Sequence, residues 1–308
     1  MIGQVVRALW SHTASTISKK LRGSAAARKS KFAVTVISPP GYLHSAAFGE
    51  IAETLHYGLQ SLGYDSVLTT EGALAGRQHI VLGSNLLPHY PLSLAGDAIL
   101  YNLEQVDVGS IWFRPELIDI FRRYTLWDYS ERNAAALEAL GVKVARVVPV
   151  GYAKEMTRLQ LAADPDIDVL FFGSMNARRQ KIIDEMRAAG LRIETAIGVY
   201  GEARDALIER SKLILNVHFY EAKVLESVRL SYLLANRCAV LSEHGCDPLE
   251  DDAFADGVAF ADYQHLAQRA RALIDAPDER KRLALRGFEI MCARLTSEYL
   301  RAALAKGA

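Results

Sequence analysis

From residue 32 onward, short blocks of apolar residues alternate with longer stretches in which apolar and polar positions repeat at helical spacing. FAVTVIS (Phe32–Ser38) is a β-branched run, the pattern of a strand buried on both faces of a parallel sheet. Pro39 and Pro40 exclude helix at the loop that follows. Ala47–Gly63 is amphipathic at helical period and ends on a glycine suited to a C-cap. YDSVLTT, HIVLGS, DAILYNLE, YTLWDYS and VARVVPVGY continue as strands separated by turn residues. After a DPDID loop the rhythm restarts. Strands are predicted at DVLFFGS, RIETAIG, LILNVHF and CAVLSE, with helices at ARRQKIIDEMRAAG, EARDALIERS and VLESVRLSYLLAN. The remainder is helical, with a break at Pro277. Strands interleaved with helices in two runs predict an α/β fold of two doubly wound, Rossmann-like domains. The division expected is a basic tail at 1–31, a first domain at 32–152 and a second at 153–308.

Composition narrows the class. With 308 residues, half of them hydrophobic, the chain can fill two ordinary cores. Its 36 cations balance its 36 anions, but seven cations lie in residues 1–31, and no Asp or Glu precedes Glu50. The remaining body is mildly acidic, which argues against a broad nucleic-acid surface. The tail reads either as a helix lying on an anionic membrane or as a solvated segment. Cys238, Cys246 and Cys292 form no C-x-x-C pair and no disulfide framework, so an intracellular compartment is the expectation. No run of 18 apolar residues is present, and the N-terminus lacks a secretory apolar core.

Candidate chemistry gathers where strands end. Open parallel sheets bind ligands beyond their carboxyl edge, where loops converge. Gly173-Ser174 follows DVLFF, and Arg178 and Arg179 stand in the next helix's first turn. Free backbone amides and a helix dipole there suit a diphosphate, and two guanidinium groups could clamp it. The alternative is an ordinary capped helix with a basic first turn. Glu221 ends the segment Asn216–Glu221, placed to accept from sugar hydroxyls; His218 beside it orients substrate or is a satisfied core side chain. Glu226 and Arg229, three apart, either read ribose and phosphate or form a surface pair. In the first domain, Gly41 and His44 follow the first strand, with His44 a candidate general base or a surface histidine. Glu104, Asp128 and Ser130 follow later strands, Ser130 also fitting a helix cap, whereas Trp127 reads as core.

As an ordered set, these pieces resemble the nucleotide-sugar glycosyltransferases of the two-Rossmann-domain class, the GT-B fold. FFGSMNARR is similar to that family's strand, glycine and basic element for the donor diphosphate. GVYGEARDALIERSKLILNVHFYE is similar to its base-binding loop, helix and strand, which would place Tyr200 and Gly201 beside the nucleobase. Tyr220-Glu221 matches the first glutamate of the family's Glu-x7-Glu motif. Eight residues on stands Arg229, and Glu226 is off register. VPVGY resembles the hinge strand, with Gly151 admitting the donor. The resemblance implies two domains facing a cleft, a nucleotide diphospho-sugar as co-substrate, no further cofactor and no metal. It implies sugar transfer to a glycan, lipid-linked or other hydroxyl acceptor in cell-surface glycan synthesis. His44 and Glu221 would be catalytic, while Gly41, Glu104 and Asp128 would hold acceptor. The setting implied is cytoplasmic, at the inner face of a membrane touched through residues 1–30. The alternative is a non-catalytic, nucleotide-binding or scaffold protein of the same fold.

Other signals fail on spacing. Asp164-Pro165-Asp166 precedes a strand instead of ending one, so its D-x-D spacing reads as a loop. No G-x-G-x-x-G follows the first strand, and there is neither a P-loop, a nucleophile elbow nor a histidine pair at zinc spacing.

Overall fold

A computed structural model describes residues 30–107 and 110–305. The basic segment before residue 30, and with it the membrane reading of the tail, lies outside them.

Six strands form the first lobe's sheet: β1 (Lys31–Val36), β2 (Asp65–Thr69), β3 (Gln78–Leu82), β4 (Ile99–Asn102), β5 (Thr125–Asp128) and β6 (Arg146–Val147). They are parallel, in the order β2-β1-β3-β4-β5-β6. The second sheet holds β7 (Ile167–Phe172), β8 (Ile193–Ala196), β9 (Ser211–Asn216), β10 (Val240–Glu243) and β11 (Ala259–Ala261). It is also parallel, in the order β11-β10-β9-β7-β8. The order reverses between β1 and β3 in one sheet and between β7 and β9 in the other. Those reversals open crevices at the strand tips.

Helices of the first lobe are α1 (Gly49–Ser61), α2 (Pro115–Phe121) and α3 (Glu131–Ala139). The second lobe adds α4 (Ala177–Ala188), α5 (Gly201–Glu209), α6 (Ser227–Ala235), α7 (Pro248–Asp252), α8 (Leu266–Asp275) and α9 (Pro277–Cys292), and α10 (Thr296–Leu304) returns to the first lobe. Pro277 starts α9 at the first helical position, where its missing N–H costs nothing. The first helix begins at Gly49 and not at Ala47, because the turn forced by Pro39, Pro40 and Gly41 (φ +76°) runs into a 3-10 stretch, Leu43–Phe48. Three short elements, α2, α7 and β11, have too few residues to show a period. Ser130 caps α3, accepting from the Arg132 amide at 3.2 Å, and Trp127 is core, edge-on to Tyr101 with ring centres 6.3 Å apart.

The crossing between lobes is short. Val148 and Val150 belong to the first lobe's core, Ala153 and Met156 to the second's. The chain crosses back at its end. Tyr152 pairs with Leu295, and α10 then packs on α1, burying Leu300 fully in the first core. Burying such a leucine stabilises by roughly 1.5–3 kcal/mol. Thr296 is seated between two glycines: a Cβ on Gly58 would stand 2.7 Å from Thr296 Cγ2, and one on Gly151 would stand 2.6 Å from Thr296 Oγ1. Among the described residues, no helix is long and apolar enough to cross a membrane.

Candidate active site

A cavity of about 750 Å³ lies between the lobes. Loops after β1, β3, β4 and β5 line one wall, and loops after β7, β8 and β9 with the start of α6 line the other. Both switch points therefore open into the same hollow.

The second-lobe wall is cationic. Arg179, in the first turn of α4, is 3 % exposed yet reaches the cavity. It donates from Nε to Val217 O at 2.8 Å and from Nη1 to Ser174 O at 2.7 Å. Burial and the neighbouring Arg229 cation lower its pKa to about 9, which leaves it charged at neutral pH. Arg229 stands one turn into α6 and donates to Asn216 Oδ1 at 2.6 Å. Its Nη2 occupies the space beside Gly173: a Cβ there would lie 2.7 Å away, and the glycine's φ of +128° is one that side chains resist. Arg204 of α5 adds a third guanidinium against Phe172.

Glu226 organises these cations. Asn216 donates to its Oε2 at 2.9 Å, and His218 Nδ1 lies 2.9 Å from the same oxygen, too far off line for a hydrogen bond but close enough for charge pairing. Burial opposes ionisation of Glu226; His218 and Arg229 outweigh it and hold the carboxyl at about 2. Burial likewise works against the charged His218, but Glu226 and Glu243 raise its pKa, and its Nε2 donates to His244 O at 3.1 Å. Tyr200 faces this wall and shares a 2.6 Å hydrogen bond with His44 Nδ1 from the opposite lobe.

The first-lobe wall is aromatic and acidic. Glu104 follows β4 with its backbone fixed: Asn102 Oδ1 accepts from its N–H at 3.3 Å, and Asn102 and Asn133 donate to its carbonyl at 2.9 and 3.0 Å. Burial raises the Glu104 carboxyl to about 7. Gln105, the next residue, bridges the lobes by donating to Glu226 Oε1 at 3.4 Å and accepting from the Val224 N–H at 3.2 Å. Glu50 of α1 pairs with Arg204 Nη2 at 2.7 Å across the cleft.

The cavity brings together His44, Glu104, Gly173, Ser174, Arg179, Tyr200, Tyr220, Glu226 and Arg229. The remaining sequence candidates stand elsewhere. Arg178 turns away: it makes a bidentate pair with the buried Glu243 and stacks on Tyr263 at 4.0 Å, because residues adjacent on a helix point about 100° apart. Glu221 is exposed and outside the lining, since the strand ends at Asn216 and the loop carries it past the edge. Asp128 is fully buried, accepting from Asn102 Nδ2 at 2.7 Å and the Ser130 N–H at 2.9 Å, so it supports the Glu104 loop instead of meeting acceptor. His218 is a completely buried partner of Glu226. Gly151 admits Thr296, not donor. Gly41 and Gly201 shape their loops at φ +76° and +58° without lining the cavity. The helix start expected to hold a diphosphate is also arranged differently. Asn176 caps α4 itself, accepting from the Arg179 N–H at 2.9 Å. Arg204, Glu50 and Gln105 also line the cavity and carry no sequence signal, each being an ordinary polar residue of a helix or loop.

No family model matches the chain. It is similar to uncharacterized proteins of Acanthamoeba polyphaga mimivirus, 32 % identical over 129 residues to one and 28 % over 166 residues to another. These matches cover 40 % and 50 % of this chain, which spans 15 % and 50 % of those relatives' lengths. Among solved structures it resembles sucrose-phosphate synthase of Thermosynechococcus elongatus (TM-score 0.55, 11 % identity, 89 % of this chain and 97 % of that one). It also resembles T4 phage β-glucosyltransferase with UDP-glucose (0.54, 11 %, 88 % and 98 %) and TarM of S. aureus (0.54, 10 %, 82 % and 57 %). The fold is GT-B.

Proposed function

Taking a GT-B fold as premise, we propose that the protein transfers a sugar from a nucleotide diphospho-sugar to an acceptor hydroxyl. The observation that carries this reading is the convergence of Arg179, Arg204 and Arg229 with the open turn at Gly173 on the second-lobe wall, facing Glu104 on the first. Paired guanidinium groups neutralise a departing diphosphate without a metal, because charge develops there as the sugar–phosphate bond breaks. Tyr200 and Val199 form the wall against which a nucleobase would rest.

Glu104 serves as the base. Its carboxylate takes the acceptor hydroxyl proton as the oxygen attacks the anomeric carbon, and the nucleoside diphosphate leaves toward Arg179 and Arg229. A base titrating near 7 suits work at neutral pH. Base and leaving-group cations lie on opposite walls, so attack and departure use opposite faces of the sugar, and the anomeric centre inverts. His44 with Tyr200 steadies the sugar between the lobes.

The proposed setting is cell-surface glycan assembly on the cytoplasmic side of a membrane. The basic residues 1–31 support that part, and liposome sedimentation of a form lacking residues 1–30 tests it.

Nucleotide binding is the first test. UDP at about 100 times its dissociation constant should stabilise the protein by about 2.7 kcal/mol, and Arg179→Ala with Arg229→Ala should abolish the shift. Indifference to UDP, GDP, ADP and dTDP alike ends the donor reading. Binding with no nucleotide release from any sugar donor makes the protein a binder and not an enzyme.

A further inference from the structure

The two walls of the cavity differ in charge. Among the described residues, its lining cations Arg179, Arg204 and Arg229 all come from the second lobe. The first-lobe wall carries two carboxylates, Glu50 and Glu104, and no Lys or Arg. Glu50 is already paired with Arg204, so the charge left facing an acceptor is that of Glu104. A phosphorylated acceptor lying against the first-lobe wall would meet that carboxylate with no Lys or Arg on the same wall to offset it, which costs binding at close range.

The same wall is apolar around Glu104. Leu103, Trp112 and Tyr129 line it, and Ile111 lines it while remaining 61 % exposed. Two further exposed hydrophobic side chains flank cavity loops: Leu43, 71 % exposed between Tyr42 and His44, and Ile197, 54 % exposed beside Gly198. Single exposed apolar residues need no cause, but Ile111 is exposed while lining the cavity beside Trp112, so an apolar group lying there would lose water.

Resting on the sugar-transfer reading, we propose that the acceptor is a neutral amphiphilic glycoside: its hydroxyl meets Glu104, and its apolar group lies along Trp112 and Ile111. Charge complementarity selects this class over nucleic acid or lipid phosphates, both of which bring phosphate to the acidic wall. A plain sugar would leave the apolar rim unused.

Binding without turnover tests it, using the full chain and ligand-detected NMR or tryptophan fluorescence. The probes are octyl β-glucoside below its micelle concentration, glucose and octyl phosphate, each with and without UDP. Octyl β-glucoside should bind at least about tenfold more tightly than either comparison probe. Ile111→Lys, at an exposed position that tolerates the change, should weaken octyl β-glucoside and strengthen octyl phosphate several-fold. Equal or tighter binding of octyl phosphate by the unaltered protein overturns the proposal. So does a glucoside that binds no better than glucose, or a preference unmoved by Ile111→Lys. UDP binding alongside any of these failures leaves the donor reading standing and strikes this proposal alone; indifference to UDP, GDP, ADP and dTDP with the glucoside preference intact strikes the donor reading, and with it the acceptor role, and leaves a neutral-glycoside site only.

Discussion

Glu104 is where burial and chemistry meet. Raising its carboxyl from the usual range to about 7 means that the folded protein prefers the neutral form. That preference contributes stability below the unfolded pKa, and the contribution is lost as pH rises through about 7. The proposed reaction needs the opposite form, the carboxylate, so kcat/KM should climb about tenfold per unit below pH 7 and level off above it. Glu104→Gln should lower kcat by about 10²–10⁴-fold with UDP affinity unchanged, and it should raise Tm at pH 8, where the wild-type carboxylate is held against its preference. A pH–rate profile and thermal melts of the two proteins check both signs together. Gly173, on the opposite wall from Glu104, is constrained by its own neighbour Arg229. Gly173→Ala brings a methyl carbon to 2.7 Å from Arg229 Nη2 at a φ of +128°. The backbone cost is about 1–3 kcal/mol, and displacing that guanidinium should weaken UDP by about tenfold or more in calorimetric titration.

At the scale of elements, strands and helices with a full period were legible from residue pattern. Ten of the eleven described strands fall within an apolar block between turn residues, the trace that the buried strands of a parallel sheet leave. β6 is only two residues of the longer VARVVPVGY block, and β11, of three residues, is fixed by its pairing with β10 and not by its own pattern. The site was legible to the level of loops but not of side chains. Adjacent Arg178 and Arg179 look alike in sequence; helix geometry sends one to Glu243 and the other to the cavity. Glu221 and Glu226 look equally placed in sequence; the strand end at Asn216 brings Glu226 into the cavity lining, held by a 2.9 Å hydrogen bond, and leaves Glu221 outside it. Contacts such as Gln105 with Val224 join residues far apart in the chain, which no local pattern encodes. The same holds for Thr296, wedged between Gly58 and Gly151. Gly151→Ala should cost about 1–3 kcal/mol in chemical denaturation by forcing α10 off α1, while leaving the lining side chains in place.

At the scale of the whole molecule, side-chain contacts bridge the cleft. Glu50–Arg204 at 2.7 Å, His44–Tyr200 at 2.6 Å and Gln105–Glu226 at 3.4 Å each span the cleft, and Arg158 pairs with Glu53 beside them. Closure matters for the proposed chemistry, because water competes with the acceptor for the same anomeric carbon. The buried Glu50–Arg204 pair is the contact best placed to govern it. Arg204 keeps a second partner, Asp205 Oδ1 at 2.6 Å, so removing the Glu50 charge need not unfold the second lobe. Glu50→Gln should therefore bias the protein toward the open form. The expected readouts are a larger radius of gyration in solution scattering and a several-fold rise in donor hydrolysis relative to transfer, with UDP affinity little changed. Restoring the charge with Glu50→Asp should recover part of the effect, since a shorter carboxylate reaches Arg204 less well. If hydrolysis and transfer keep their wild-type ratio in Glu50→Gln, the pair is a stabilising contact only, and exclusion of water must be assigned to the His44–Tyr200 side of the cleft.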